Sequence, residues 1–300
     1  MSFKIRHLVP WKETDLRIDD LHFSAAFSAE AADAVLCDFR PQPELLEFPR
    51  RKALYRTEGW TSDTFKSPDM QQYRERLAPA EFLWHGHPDP EFRVPHVTHL
   101  DRPGELSVNR NPDRIARACA IVSNVARPPS RRTEAEASRL RFITDPGVDL
   151  FGRLSAWQSF QDEEGSVAGP PGNYRGEVEG QWNGRHRVER LSRYKACVCL
   201  ENTIEPWYFT EKFVGAVQAG CIPVYHAEAT TIRHGILDGA RWVDPADFGF
   251  DVAETLRYAL DQDIEAYWQA NGEWLHNDFL RTTSTTAVYR RIGRILQGRP

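Results

Sequence analysis

The chain has 300 residues, more than one ordinary domain and a good size for two. With 41% hydrophobic and 27% charged residues it has the composition of a globular protein, not of a disordered or fibrous one. Its net charge of −5 supplies no global basic field, which argues against nucleic acid and anionic lipid as partners.

The opening residues, MSFKIRHLVPWKETD, lack the apolar core of a signal peptide. No apolar run reaches the roughly eighteen residues that a membrane helix needs. A soluble, cytoplasmic protein without a transmembrane segment is therefore expected. Ala34–Phe39 reads as a buried strand and Lys52–Tyr55 as a shorter one. The rest of the first 120 residues reads as short strands and helices broken by prolines, loop-rich from Pro88 to Pro112.

Ala118–Ser123 predicts a strand and Arg131–Leu140 a helix. Phe142–Ile143 and Val148–Phe151 suggest further strand or turn structure, and the Gly- and Pro-rich stretch Gly165–Gly184 a long mobile loop. Arg185–Arg193 reads as a short basic helix. Ala196–Leu200 is apolar on both faces, as a central parallel strand is. Thr210–Ala219 is helical by pattern, Gly220 suits its end, and Cys221–Tyr225 returns as a strand. This makes a strand–helix–strand unit of the kind that builds doubly wound sheets. Pro223 conflicts with a strand because it cannot donate to a ladder. Asp251–Leu260 and Ile264–Phe279 predict amphipathic helices, and the basic amphipathic Ala287–Leu296 is expected to pack on its own domain. Cys37, Cys119, Cys197, Cys199 and Cys221 sit in apolar runs and are expected to be buried free thiols.

Chemistry concentrates where ligands meet open α/β sheets, beyond the carboxyl ends of the strands. Glu201-Asn202 follows the Ala196–Leu200 strand, and Thr210-Glu211-Lys212 then opens a helix whose unpaired N–H groups favour a phosphate. Lys212 places a cation in the first turn, where the macrodipole disfavours one, and that cost points to a ligand anion.

The segment YKACVCLENTIEPWYFTEKFVGAVQAGCIPV, Tyr194–Val224, resembles the signature of the α-1,3-fucosyltransferase family. It carries Tyr-Lys, an apolar strand, Glu-Asn, a spacer with an aromatic residue, Thr-Glu-Lys, a helix and Gly-x-x-Pro-Val without a gap. Weaker likeness extends to Ile121–Asn124, Val148–Gly152, Trp242–Asp244 and Asp247–Phe248. The resemblance implies an α/β GT-B fold, two Rossmann-like domains with the active site in the cleft between them. It implies an acceptor-binding domain over 1–116, a nucleotide-sugar-binding domain over 117–278 and a helical tail over 279–300. Asn202, Tyr208, Glu211 and Lys212 match positions that line the nucleotide-sugar site. Arg131, or Arg132 beside it, matches a second cation for the diphosphate. Glu58, in Leu54–Trp60, matches the catalytic carboxylate, although Gly59 stands where the family has Ser or Asn.

The implied reaction is transfer of fucose from GDP-fucose to a glycan or glycoconjugate hydroxyl with inversion, Glu58 acting as general base and no metal required. Two alternatives are a transferase of the same fold using another GDP-sugar and a non-catalytic sugar-nucleotide or glycan-binding protein. His85-x-His87 and His96-x-x-His99 lack the spacing of a helical zinc motif and are read, with Trp84, as cleft or loop residues.

Overall fold

The computed structural model describes residues 2–8, 15–38, 42–56, 68–95, 106–122, 133–153, 169–178, 185–227 and 236–299. Glu58, His96, His99, Arg131 and Arg132 lie outside the described residues. The chain divides into two compact units. The first comprises Met1–Asp101, Glu205–Tyr208 and Arg281–Pro300, and the second Arg102–Ile204 and Phe209–Leu280.

The first unit is built on β1 (Phe3–Leu8), β2 (Leu16–Ile18), β3 (Leu21–Ser24), β4 (Ala34–Asp38), β5 (Arg51–Arg56) and β6 (Phe82–Trp84). Their order in the sheet is β2-β3-β1-β4-β5-β6, and only the β2–β3 pair is antiparallel. That pair is a hairpin whose turn residue Asp19 takes the left-handed conformation, φ 54°. Both faces of the sheet are covered. On one, Leu8, Val35, Cys37 and Leu54 pack with Leu45 of α1 (Pro43–Glu47) and Met70 and Tyr73 of α2 (Pro68–Arg76).

On the other face, Ile5, Phe23, Leu36 and Tyr55 meet Val288, Ile292 and Leu296, a one-sided i, i+4, i+8 series. The basic C-terminal helix therefore packs on the core of the first unit. Its approach is close, since a Cβ on Gly293 would lie 2.4 Å from Leu21 Cδ1.

The second unit contains β7 (Ile115–Val122), β8 (Val148–Gly152), β9 (Tyr194–Val198) and β10 (Ile222–Val224), all parallel in the order β10-β9-β7-β8. Its helices are α3 (Glu134–Thr144), α4 (Arg185–Leu191), α5 (Glu211–Gln218), α6 (Val252–Asp261) and α7 (Ile264–Trp274); the division between the units falls within α8 (Asp278–Thr282), after Leu280, and α9 (Thr285–Gln297) is the C-terminal helix of the first unit. The core joins Ala118, Ala120, Leu150, Ala196 and Val198 to Phe142 of α3 and Leu256 of α6.

Pro223 is reconciled with its strand by direction. Its carbonyl accepts the Val243 N–H at 2.8 Å, so the missing N–H falls on the side away from β9. Gly220, φ 69°, ends α5 in the left-handed conformation, as expected. Two other expectations change. Phe142 and Ile143 complete α3, which begins with a Thr133–Glu136 capping box. Residues 169–178, within the stretch read as a mobile loop, lie along β8. There Tyr174 bridges Leu150, and Asn173 Nδ2 is within 3.0 Å of the Ile143, Asp145 and Val148 carbonyls.

Each unit has the reversal of strand order that marks a doubly wound sheet. It falls between β1 and β4 in the first and between β7 and β9 in the second.

Candidate functional site

At the carboxyl edge of the second sheet, Glu201 follows the apolar run of β9 with a side chain only 2% exposed. A buried carboxylate is costly unless its oxygens are satisfied. Here Oε1 accepts the Thr210 N–H at 3.0 Å and the Tyr225 hydroxyl at 3.3 Å, and the Thr210 hydroxyl lies 2.7 and 2.9 Å from the two oxygens. Oε2 accepts from Lys212 Nζ at 2.9 Å. Glu201 thus pins the start of α5, where Thr210 is the N-cap, and its charge complements the macrodipole there.

The cost of a cation in the first turn, which in the sequence points to a ligand anion, is offset here within the protein. Burial works against the Lys212 ammonium, but the charges of Glu201 and Glu211 outweigh it and raise the Lys212 pKa above the ordinary lysine value. The protein itself compensates the cation. Nζ bonds Glu201 and, at 3.0 Å, Thr210 Oγ1, with Glu211 Oε1 4.0 Å away. Two of its three N–H groups are so occupied, and the partly exposed ammonium retains a third.

Of the residues expected to bind a donor, Asn202, Glu211 and Lys212 stand at this edge of the second unit. Tyr208 groups with the first unit, buried, its ring centroid 5.0 Å from that of His85. Beside it Glu205 Oε2 lies 3.6 Å from His85 Nε2. Trp207 has φ 67°, an uncommon conformation for a bulky residue, and the Arg93 guanidinium lies 4.4 Å above its ring. His87 Nδ1 accepts the Asp89 N–H at 3.0 Å. Among the described residues, no group of three or more His, Cys, Asp or Glu is placed to hold a metal ion. The five cysteines are buried and free; burial pushes the Cys37 thiol up to about 12 and those of Cys119 and Cys199 well above the ordinary range.

The carboxyl edge of the first sheet holds a network that sequence reasoning missed. His7 lies near the end of β1, Asp38 ends β4, and Nε2 of one lies 2.7 Å from Oδ2 of the other. Tyr289 of α9 donates to the same Asp38 oxygen. Burial, then the charge of Asp38, pushes the Tyr289 phenol well above its usual value. His7 Nδ1 and Asp38 Oδ1 are buried with no hydrogen-bond partner. The one signal in the sequence is that His7 shares the strand face of Ile5, a core position.

No protein-family model matches the chain, and no curated protein matches it in sequence. Solved structures do. An α1,3-fucosyltransferase with GDP-fucose is 16% identical, with a TM-score of 0.51 over 99% of this chain and 90% of that one. An α-glucosyltransferase in complex with UDP and a 13-mer DNA is 11% identical, with a TM-score of 0.52 over 88% and 79%. An α,α-trehalose-phosphate synthase (UDP-forming) from Burkholderia xenovorans in complex with glucose-6-phosphate is 12% identical, with a TM-score of 0.53 over 88% and 72%. These likenesses show the fold: the chain has the two Rossmann-like sheets of a two-domain GT-B protein. Among the described residues no helix is long and apolar enough to cross a membrane.

Proposed function

We propose that the chain is an inverting glycosyltransferase that binds a nucleotide-sugar at the carboxyl edge of the second sheet, with GDP-fucose as donor and a glycan hydroxyl as acceptor. The observation that carries this reading is the Glu201–Thr210–Lys212 arrangement. It holds a helix N-terminus and an ammonium together within the same segment that resembles the fucosyltransferase signature. The GT-B fold supports it, as does the solved α1,3-fucosyltransferase with GDP-fucose.

In this reading the free N–H of Lys212 and the guanidinium of Arg131 or Arg132 meet the diphosphate. Glu211 holds ribose or sugar hydroxyls, and Asn202 and Tyr208 complete the set that the resemblance names. The acceptor oxygen attacks the anomeric carbon as its bond to the phosphate oxygen breaks. The bonding pair leaves with GDP, and Glu58 takes the acceptor proton. Negative charge grows on the departing diphosphate, so cations fixed there lower the barrier, with no metal required. The two side-chain cations play different parts, since arginine suits paired phosphate oxygens and lysine acts as a point charge.

The test is to incubate the protein with GDP-fucose and a glycan mixture in EDTA and follow both GDP release and fucosylated product. Glycan-dependent release of both is expected. Binding of GDP without turnover on any glycan would turn the reading into that of a sugar-nucleotide-binding protein. Turnover with another GDP-sugar in place of GDP-fucose would keep the chemistry and change the donor.

A further inference from the structure

One further pair of titratable side chains stands at the carboxyl edge of the second sheet, outside the Glu201 network. His226 lies two residues beyond β10, and its Nδ1 is 2.8 Å from Asp244 Oδ1. Asp244 is itself fixed. The same oxygen accepts the Ala246 N–H at 2.9 Å as the cap of a short 3-10 helix, Pro245–Phe248. The preceding residue, Val243, is tied alongside β10 by bonds of 2.8 and 3.0 Å involving Pro223 and Tyr225. Phe250, held at φ 61°, then sets its ring edge-on to the imidazole, with centroids 5.1 Å apart. Backbone, carboxylate and aromatic ring together define one orientation of His226, whose side chain is still 21% exposed.

That orientation decides the chemistry. With Nδ1–H donated to Asp244, Nε2 is left as a hydrogen-bond acceptor. A phosphate oxygen is also an acceptor, and Asp244 places a negative charge beside the ring, so a phosphate is a poor partner. A hydroxyl or N–H donor is a good one. Alternation along the strand points the same way. Tyr225 faces Glu201 and the start of α5, whereas His226 shares the other face with Ile222 and Val224. Phe250 adds an apolar wall beside it. An acceptor and an apolar surface, set on the opposite sheet face from the phosphate-favouring helix start, fit the nucleoside half of a nucleoside diphosphate.

We propose that His226, oriented by Asp244, recognises the nucleoside of the donor by accepting a hydrogen bond at Nε2 from a ribose hydroxyl or a base N–H. This inference rests on the nucleotide-sugar reading above.

The test is calorimetric titration with whichever of GDP and UDP binds the wild-type chain, and with inorganic pyrophosphate, for wild type, His226→Leu and His226→Gln. His226→Leu should weaken the nucleotide by roughly tenfold, the size of one lost hydrogen bond, and leave pyrophosphate unchanged. His226→Gln should recover part of the loss, because its amide oxygen is again an acceptor. Titration of the 2′,3′-dideoxynucleotide, which lacks both ribose hydroxyls, then separates the two donors. A ribose contact makes His226→Leu harmless with it, whereas a base contact keeps the loss. Unchanged nucleotide affinity in His226→Leu, or a parallel fall in pyrophosphate affinity, overturns the proposal. If wild type binds no nucleotide, it is the nucleotide-sugar reading that fails, taking this inference with it.

Discussion

At the carboxyl edge of the first sheet the polar groups are turned inward. His7 and Asp38 stand at the ends of two central strands and are almost fully buried beneath Tyr289 of the C-terminal helix. At the corresponding edge of the second sheet a buried carboxylate, Glu201, holds a partly exposed ammonium on α5, and the partly exposed His226 is held by Asp244. Both sheets are doubly wound, and both carry polar residues at this edge. What differs is the covering element. In the first unit α9, delivered from the far end of the chain, lies over the face that His7 and Asp38 share. In the second, the helix that follows the edge begins at it and offers its N-terminus. The network under a helix serves the fold, and the one around a helix start is the one proposed to meet an anion.

The largest effect is expected at Glu58, the proposed general base. Glu58→Gln should lower transfer about 100- to 10,000-fold, as loss of a general base does, while GDP affinity stays near that of wild type. Near-normal turnover of this variant, measured with an acceptor that the wild type uses, would move the base elsewhere, with Asp63 and Asp69 next to test.

Next in size is Glu201→Gln. The substitution keeps shape but removes the charge that Lys212 and the helix start lean on, and it should cost about 2 to 3 kcal/mol in denaturant unfolding and weaken GDP as well. Tyr289→Phe is its counterpart in the first unit. It removes one hydrogen bond from the buried Asp38 and should cost about 1 to 2 kcal/mol while leaving GDP affinity unchanged. A loss of GDP affinity in Tyr289→Phe would erase the distinction between the two edges.

These contrasts bear on what the sequence could show. The second unit's edge was legible because strand, Glu-Asn, Thr-Glu-Lys and helix fall within Tyr194–Val224, so local pattern and local structure coincide. Even there, the Glu201–Lys212 pair is invisible to pattern, since nothing in it says that a side chain reaches back across the loop to the strand end. The first unit was poorly legible. Strands β2 and β3 are only three and four residues long, too short for alternation to mark them. Asp38 and Tyr289 are 251 residues apart, a contact that only the fold brings about. Residues 169–178 resist reading by composition because Gly and Pro suggest freedom, whereas one side chain, Asn173, ties the segment to three carbonyls.

The smallest effect concerns Asp149 of the second unit. Burial favours its neutral form, but hydrogen bonds from Arg175 and Tyr194 and the charge of Arg117 outweigh that and hold the carboxyl below its ordinary value. A depressed folded-state pKa stabilises above the unfolded value of about 3.9, and that stability is lost as pH falls through the folded one. Asp149→Asn should therefore flatten the acid limb of a stability-versus-pH curve slightly, and an unchanged limb would assign the acid sensitivity to other carboxylates.

Binding of a nucleoside diphosphate at the edge around Lys212 is measured by calorimetric titration with GDP and UDP of wild type and Lys212→Ala, well below the melting temperature of each. Saturable GDP binding that exceeds UDP binding, and that falls in Lys212→Ala, is predicted. Equal GDP affinity in the variant, or no GDP binding by the wild type, would contradict it.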